Sequence, residues 1–234
     1  MTSSALSAPA DRPDAEMVED VRLCIYHALA RTGRLPDLAD LLAITTSVVR
    51  LAACIDALAA NRHLALGTSG EIVMAHPFAT RSFGYSVMSA DTLWWGGCAW
   101  DAFALPHLVD TGGDVLVATQ CPACAAPLAW AVGRGVPPPG DEIAHFLVPA
   151  ANIWDDVIHT CSNQLLFCSN ACIDQWLTRT GNAEGYRMNL ETLWRFASRW
   201  YEGRLDRGYE RRHPATAHDY LRSVGLTGPF WGVS

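Results

Sequence analysis

The run Gly96-Gly97-Cys98-Ala99-Trp100-Asp101 sets a thiol and a carboxyl three residues apart. If Gly97 ends a loop and Cys98 opens a helix, the sulfur lies at the positive end of the helix dipole. That placement lowers a thiol pKa and raises the thiolate fraction. Asp101 then shares a helix face with Cys98. A carboxyl beside a like charge is disfavoured as its anion, so it can hold a proton. Together the two groups can bind a soft cation and protonate an atom next to it. The plainer reading is a packed cysteine beside a solvated aspartate. A further thiol, Cys161, follows Asp155-Asp156-Val157-Ile158-His159-Thr160 and precedes Ser162-Asn163. Its polar, non-periodic setting predicts a loop or turn. His159 stands two residues away, either to activate that thiol or as an ordinary satisfied histidine.

Four more cysteines form two close pairs. Cys121-Pro122-Ala123-Cys124 is a C-x-x-C at an expected strand turn, and Cys168-Ser169-Asn170-Ala171-Cys172 is a C-x-x-x-C leading toward Trp176. Two such pairs match a structural Zn²⁺ site built as a zinc-ribbon-like knuckle. The alternatives are a redox dithiol or unrelated packed cysteines. Cys24 and Cys54 complete the eight and lie in apolar helical patterns, as small core hydrophobes do.

The remaining chain must position these groups. Half of its 234 residues are hydrophobic, enough for a sizeable core. Residues 1–16 read as a disordered lead-in without the basic start and apolar centre of a signal peptide. Over 17–80, helical periodicity at Val18, Val21, Ile25 and Leu29 is followed by a second helix after Pro36. Thr45 or Thr46 caps a third, and a hairpin spans His63 to Met74. Three helices and a hairpin make a winged-helix-like unit. Its third helix is poor in base, so packing or dimerisation is favoured over DNA binding. From 81 to 208 the pattern is mixed: a buried helix after Gly97, strands near Val115 and Leu128, a Pro-rich loop, a strand at Ala144 and helices from Cys172 and Leu190. Residues 209–234 form a tail packing on the body. The expected class is therefore α+β.

Net charge is −7, and every one of the 17 Lys+Arg residues is arginine. An acidic chain makes a poor duplex nucleic-acid binder. Apolar runs are broken well short of the roughly 18 residues of a membrane span. The expectation is a cytoplasmic protein with no membrane or nucleic-acid partner and no organic cofactor.

Cys-x-x-Asp in an aromatic stretch after a winged-helix-like unit, Asp101-Ala102-Phe103-Ala104-Leu105-Pro106, and a later cysteine in Asp156-Val157-Ile158-His159-Thr160-Cys161 resemble the organomercurial (alkylmercury) lyases. The resemblance runs from about Val21 to Leu205. It implies that Cys98 and Cys161 bind mercury as thiolates and that Asp101 donates the proton that cleaves a carbon–mercury bond. It also implies a small organomercurial substrate, and soluble thiols or a dithiol partner as mercury acceptor. Cys121, ahead of Ala126-Pro127, resembles a further family cysteine of structural role. The chain departs from the family in completing a C-x-x-C with Cys124, in adding the Cys168/Cys172 pair, and in Gly96-Gly97, which are expected to widen the pocket. Two other readings stay open: a non-catalytic zinc or mercury carrier or sensor, and a family member turned to another substrate.

Overall fold

The computed structural model describes residues 13–233. Of the lead-in expected at residues 1–16, residues 1–12 lie outside them. Helix α1 (Ala15–Thr32) begins inside that lead-in, because the Asp14 carboxylate accepts from Met17 N–H at 2.8 Å and Gly33 closes the far end in the left-handed region. Next come α2 (Leu38–Thr45) and α3 (Val48–Ala60). The cap of α3 is neither Thr45 nor Thr46 but Ser47, whose oxygen accepts from Val49 N–H. Thr45 turns back to the Leu41 carbonyl and Thr46 adopts φ 58° at the end of α2. Cys54 is fully buried and Cys24 half-buried, both packed in the core as expected.

The next strands are β1 (Ala65–Leu66), β2 (Ile72–Ala75), β3 (Phe78–Ala79), β4 (Tyr85–Met88) and β5 (Leu93–Gly96). Helix α4 (Ala99–Leu108) follows, then β6 (Val115–Gln120) and β7 (Pro127–Val132). These strands form one antiparallel sheet in the order β1-β2-β3-β5-β4-β6-β7. The expected hairpin, β1 with β2, is thus the edge of a continuous seven-stranded sheet.

The rest of the chain builds β8 (Ile143–Phe146), α5 (Val157–Ser162), β9 (Gln164–Phe167), α6 (Asn170–Thr180), β10 (Tyr186–Asn189), α7 (Leu190–Trp200) and α8 (Pro214–Ser223). Strands β10, β8 and β9 make a second antiparallel sheet. Among the described residues, no single helix is long and apolar enough to cross a membrane. The last residues pack inward: Trp231 is buried against Phe146, Tyr186 and Phe196.

Helix α4 is the pivot. Every residue from Ala99 to Pro106 is buried, the mark of a helix apolar all round and covered on all sides. It lies against the large sheet on one side and α7 on the other, with Trp100 stacked on Phe196 at 4.1 Å. Gly96 permits this approach: a Cβ there would stand 2.8 Å from the Ala102 backbone.

One buried histidine makes stability depend on pH. His145 on β8 accepts from Gly185 N–H through Nε2, while its Nδ1 has no partner. Burial lowers its pKa to about 4. The unfolded chain, with an ordinary histidine near 6.5, binds the proton first as pH falls. Stability contributed by neutral His145 is complete above about pH 6.5 and is lost through the window down to about 4. Denaturant melts between pH 7 and 4 are expected to show up to about 1.4 kcal/mol per pH unit from this group. A His145→Gln variant should have a shallower dependence, and an unchanged slope would exclude the residue as its source.

Candidate active site

Cys98 is the N-cap of α4, as its position after two glycines suggests, and its sulfur accepts from Asp101 N–H at 3.4 Å. The expected consequence of that placement does not follow. Burial, reinforced by the neighbouring Cys161 thiol and the Asp101 charge, pushes the Cys98 thiol well above its ordinary pKa. One amide and a helix end do not offset removing a thiolate from water. The resting group is a thiol.

Cys161 is on α5, not in a loop. The polar residues around it cap and close a short helix instead of breaking it. Asp156 accepts from His159 N–H at 2.9 Å, the Thr160 hydroxyl donates to the Ile153 carbonyl, and Ser162 donates to the Ile158 carbonyl. The Cys161 sulfur faces Cys98. That contact alone favours its thiolate, but burial and Asp101 outweigh it and leave the pKa raised. The His159 ring does not engage the thiol and lies against the Asn163 amide on the exposed side of α5.

Asp101 is 1% exposed and bound at both oxygens. Tyr201 O–H donates to Oδ1 at 2.6 Å, and His76 Nδ1 lies 3.0 Å from Oδ2. Neither partner was anticipated. His76 sits in the β2–β3 turn, 25 residues before Asp101, and Tyr201 follows α7 one hundred residues after it. In the sequence Tyr201 reads only as one more apolar-face residue of α7. The donor atoms of His76, Asp101 and Cys161 lie within 4.8 Å of one another.

These groups line a cavity whose other walls are Trp100, Ile153, Trp154, Val157, Gln164 and Trp200. Arg204, Arg211 and Arg212 also border it, and the Arg211 guanidinium stacks on Trp154 at 4.5 Å. Of the three tryptophans near Cys98, only Trp100 reaches the cavity. Trp94 is buried and donates to the Leu29 and Ala30 carbonyls. Gly96 and Gly97 do not widen the cavity. A Cβ on Gly97 would stand 2.6 Å from Asp101 Oδ2 and 3.3 Å from Met74 Sδ, so this glycine leaves room for the carboxylate.

The other four cysteines gather elsewhere. The sulfurs of Cys121, Cys124, Cys168 and Cys172 lie within 4.8 Å of one another, at the β6–β7 turn and the start of α6. None of the eight cysteines is paired in a disulfide. The fold thus gathers these four sulfurs in one place and sets Cys161 beside Asp101 and His76 in another.

The mercury-bound form of MerB2 is a solved structure similar to this chain, with a TM-score of 0.58 and 19% identity over 80% of this chain and 90% of that one. At that identity the likeness is one of fold. No curated protein matches the chain by sequence. The family described as MerB, alkylmercury lyase, matches residues 78–202, more than half of the chain and all of the stretch that carries α4, Cys98, Asp101 and Cys161. With the mixed α+β fold, that match identifies the chain as a member of the alkylmercury lyase family.

Proposed function

We propose that the protein cleaves carbon–mercury bonds by protonolysis, with Cys98 and Cys161 as the mercury-binding sulfurs and Asp101 as the proton carrier. The observation that carries this reading is a buried carboxylate, held by two donors, directly beside two buried thiols. Mercury(II) is soft and prefers thiolate sulfur. The substrate R–Hg⁺ meets two thiols: Cys98 gives up its proton as its S–Hg bond forms. Asp101 then takes the proton of Cys161 as the second S–Hg bond forms. Two sulfur donors push electron density onto the metal-bound carbon. Asp101 delivers its proton there, the electron pair of the C–Hg bond goes to the new C–H bond, and R–H leaves. One proton is released, one ends on carbon, and Hg²⁺ stays as a neutral dithiolate. Two soluble thiols then exchange for the two cysteines and restore both S–H groups.

The raised thiol pKa values suit this sequence. A proton must be present at the site to be transferred, and a thiol releases it only when a metal takes its place. Tyr201 and His76 hold the carboxylate beside the sulfurs. Trp154, Ile153 and Val157 supply apolar surface for the organic group. In the same reading, α1–α3 with β1–β2 form a winged-helix-like unit that serves as packing, since Trp94 of the large sheet is anchored on α1.

Incubation with an arylmercury compound and excess small thiol should release the arene catalytically. Stoichiometric mercury binding without arene would instead indicate a carrier. Gly97→Ala should keep the fold and displace the Asp101 carboxylate. Turnover is expected to fall by about 10²-fold, the order that a misplacement of about 1 Å costs. A Gly97→Ala enzyme with wild-type turnover would show that the carboxylate's position is not critical.

A further inference from the structure

Cys121, at the end of β6, is buried, whereas Cys124 at the tip of the same turn is exposed. The turn is closed by Cys121 N–H to the Ala126 carbonyl at 2.9 Å and by Ala125 N–H to the Cys121 carbonyl at 2.8 Å. Ala125 adopts φ 60°, the left-handed residue of a tight knuckle. Across from it, Cys168 directly follows β9 and Cys172 lies in the first turn of α6, where its N–H is capped by the Ser169 hydroxyl. The Cys124 and Cys168 sulfurs are 3.6 Å apart. Tetrahedral zinc with Zn–S bonds of about 2.3 Å requires sulfur–sulfur separations of about 3.8 Å. One pair comes from a strand turn and one from a strand-to-helix junction, and both point to a common centre. Arg179 of α6 donates to the Pro122 and Ala123 carbonyls and places a positive charge beside the knuckle.

We propose that Cys121, Cys124, Cys168 and Cys172 bind one structural Zn²⁺ that clamps the second sheet onto the first. Four thiols release four protons on binding, leaving a site of charge −2 that the Arg179 guanidinium faces. The junction is also made by a shared apolar core and by Tyr85 on β4, whose hydroxyl accepts from Leu166 N–H at 3.0 Å on β9. Strand β9 runs between the two sites, from just after Cys161 to Cys168. This site shares no ligand with the Cys98–Cys161 pair, so it stands or falls independently of the lyase reading.

Elemental analysis of the full chain purified without added metal tests the proposal. About one zinc per chain is expected, kept in a Cys98→Ala/Cys161→Ala double variant and lost in Cys124→Ser/Cys172→Ser. If the latter is insoluble, the wild-type protein grown with cobalt should show the charge-transfer and d–d absorption of a tetrahedral four-thiolate site. Iron in place of zinc would overturn the assignment, as would a cobalt spectrum without thiolate ligation, a Cys124–Cys168 disulfide, or zinc lost from the Cys98/Cys161 variant.

Discussion

Asp101→Asn should abolish carbon–mercury cleavage while leaving mercury binding intact. Asparagine keeps the size of the side chain and can still accept from Tyr201 through its carbonyl oxygen. It cannot take a proton from a thiol or deliver one to carbon. Loss of a positioned proton carrier costs about 10²–10⁴-fold in rate. The variant should still hold one Hg²⁺ per pair of Cys98 and Cys161 thiols, and should retain R–Hg⁺ as a stable adduct. Single-turnover release of R–H, measured beside mercury stoichiometry, separates the two properties. Because Asp101 is buried with both oxygens bonded, substitution also disturbs Tyr201 and His76. A thermal melt therefore accompanies the assay, and loss of rate with a preserved melt is the expected combination. An Asn variant that turns over at the wild-type rate would remove Asp101 from the mechanism.

The second large effect is expected from Cys161→Ala. With both sulfurs present, the second S–Hg bond forms within the site at an effective concentration that soluble thiols do not match. With one sulfur left, that intramolecular advantage is gone, and soluble thiol at the millimolar level displaces the single S–Hg bond. The variant should lose Hg²⁺ to millimolar small thiol, where the wild type keeps R–Hg⁺ long enough to cleave it. Turnover should fall by at least about 10²-fold, since Asp101 loses both its proton source and the sulfur that activates the carbon. Cys98→Ala should be as severe. Mercury retention in Cys161→Ala equal to the wild type, under the same thiol challenge, would show that Cys161 is not the second ligand.

Both expectations depend on thiols that are protonated at rest, and here sequence reasoning fell short. A helix N-terminus is visible in Gly97-Cys98 and does form, but its effect on the thiol depends on what covers it. Every residue from Ala99 to Pro106 is buried, and Cys98 is 1% exposed. Desolvation then exceeds the pull of the helix end and reverses the sign of the shift. The misplacement of Cys161 had a similar origin. Thr160, Ser162, Asn163 and Asp156 look like loop formers when counted singly. In place, Asp156, Ser162 and Asn163 each cap or close a helical turn, and Thr160 ties the helix to the Ile153 carbonyl ahead of it.

What was legible from the sequence rests on short-range geometry. Cys98 and Asp101 share a site because helical periodicity brings residues three apart onto one face, and the close cysteine pairs meet because a turn and a helix start bring their sulfurs together. The apolar continuity of α4 likewise marks it as the buried centre of the fold. Tertiary structure alone decided the rest. His76 comes from a turn between sheet strands and Tyr201 from beyond α7, and neither has a spacing that points to Asp101. They meet the carboxylate because α4 is packed between the sheet that carries one and the helix that carries the other. The same burial withdraws two thiols and a carboxyl from water and pushes both thiols toward their protonated form, the state from which the proposed cleavage starts.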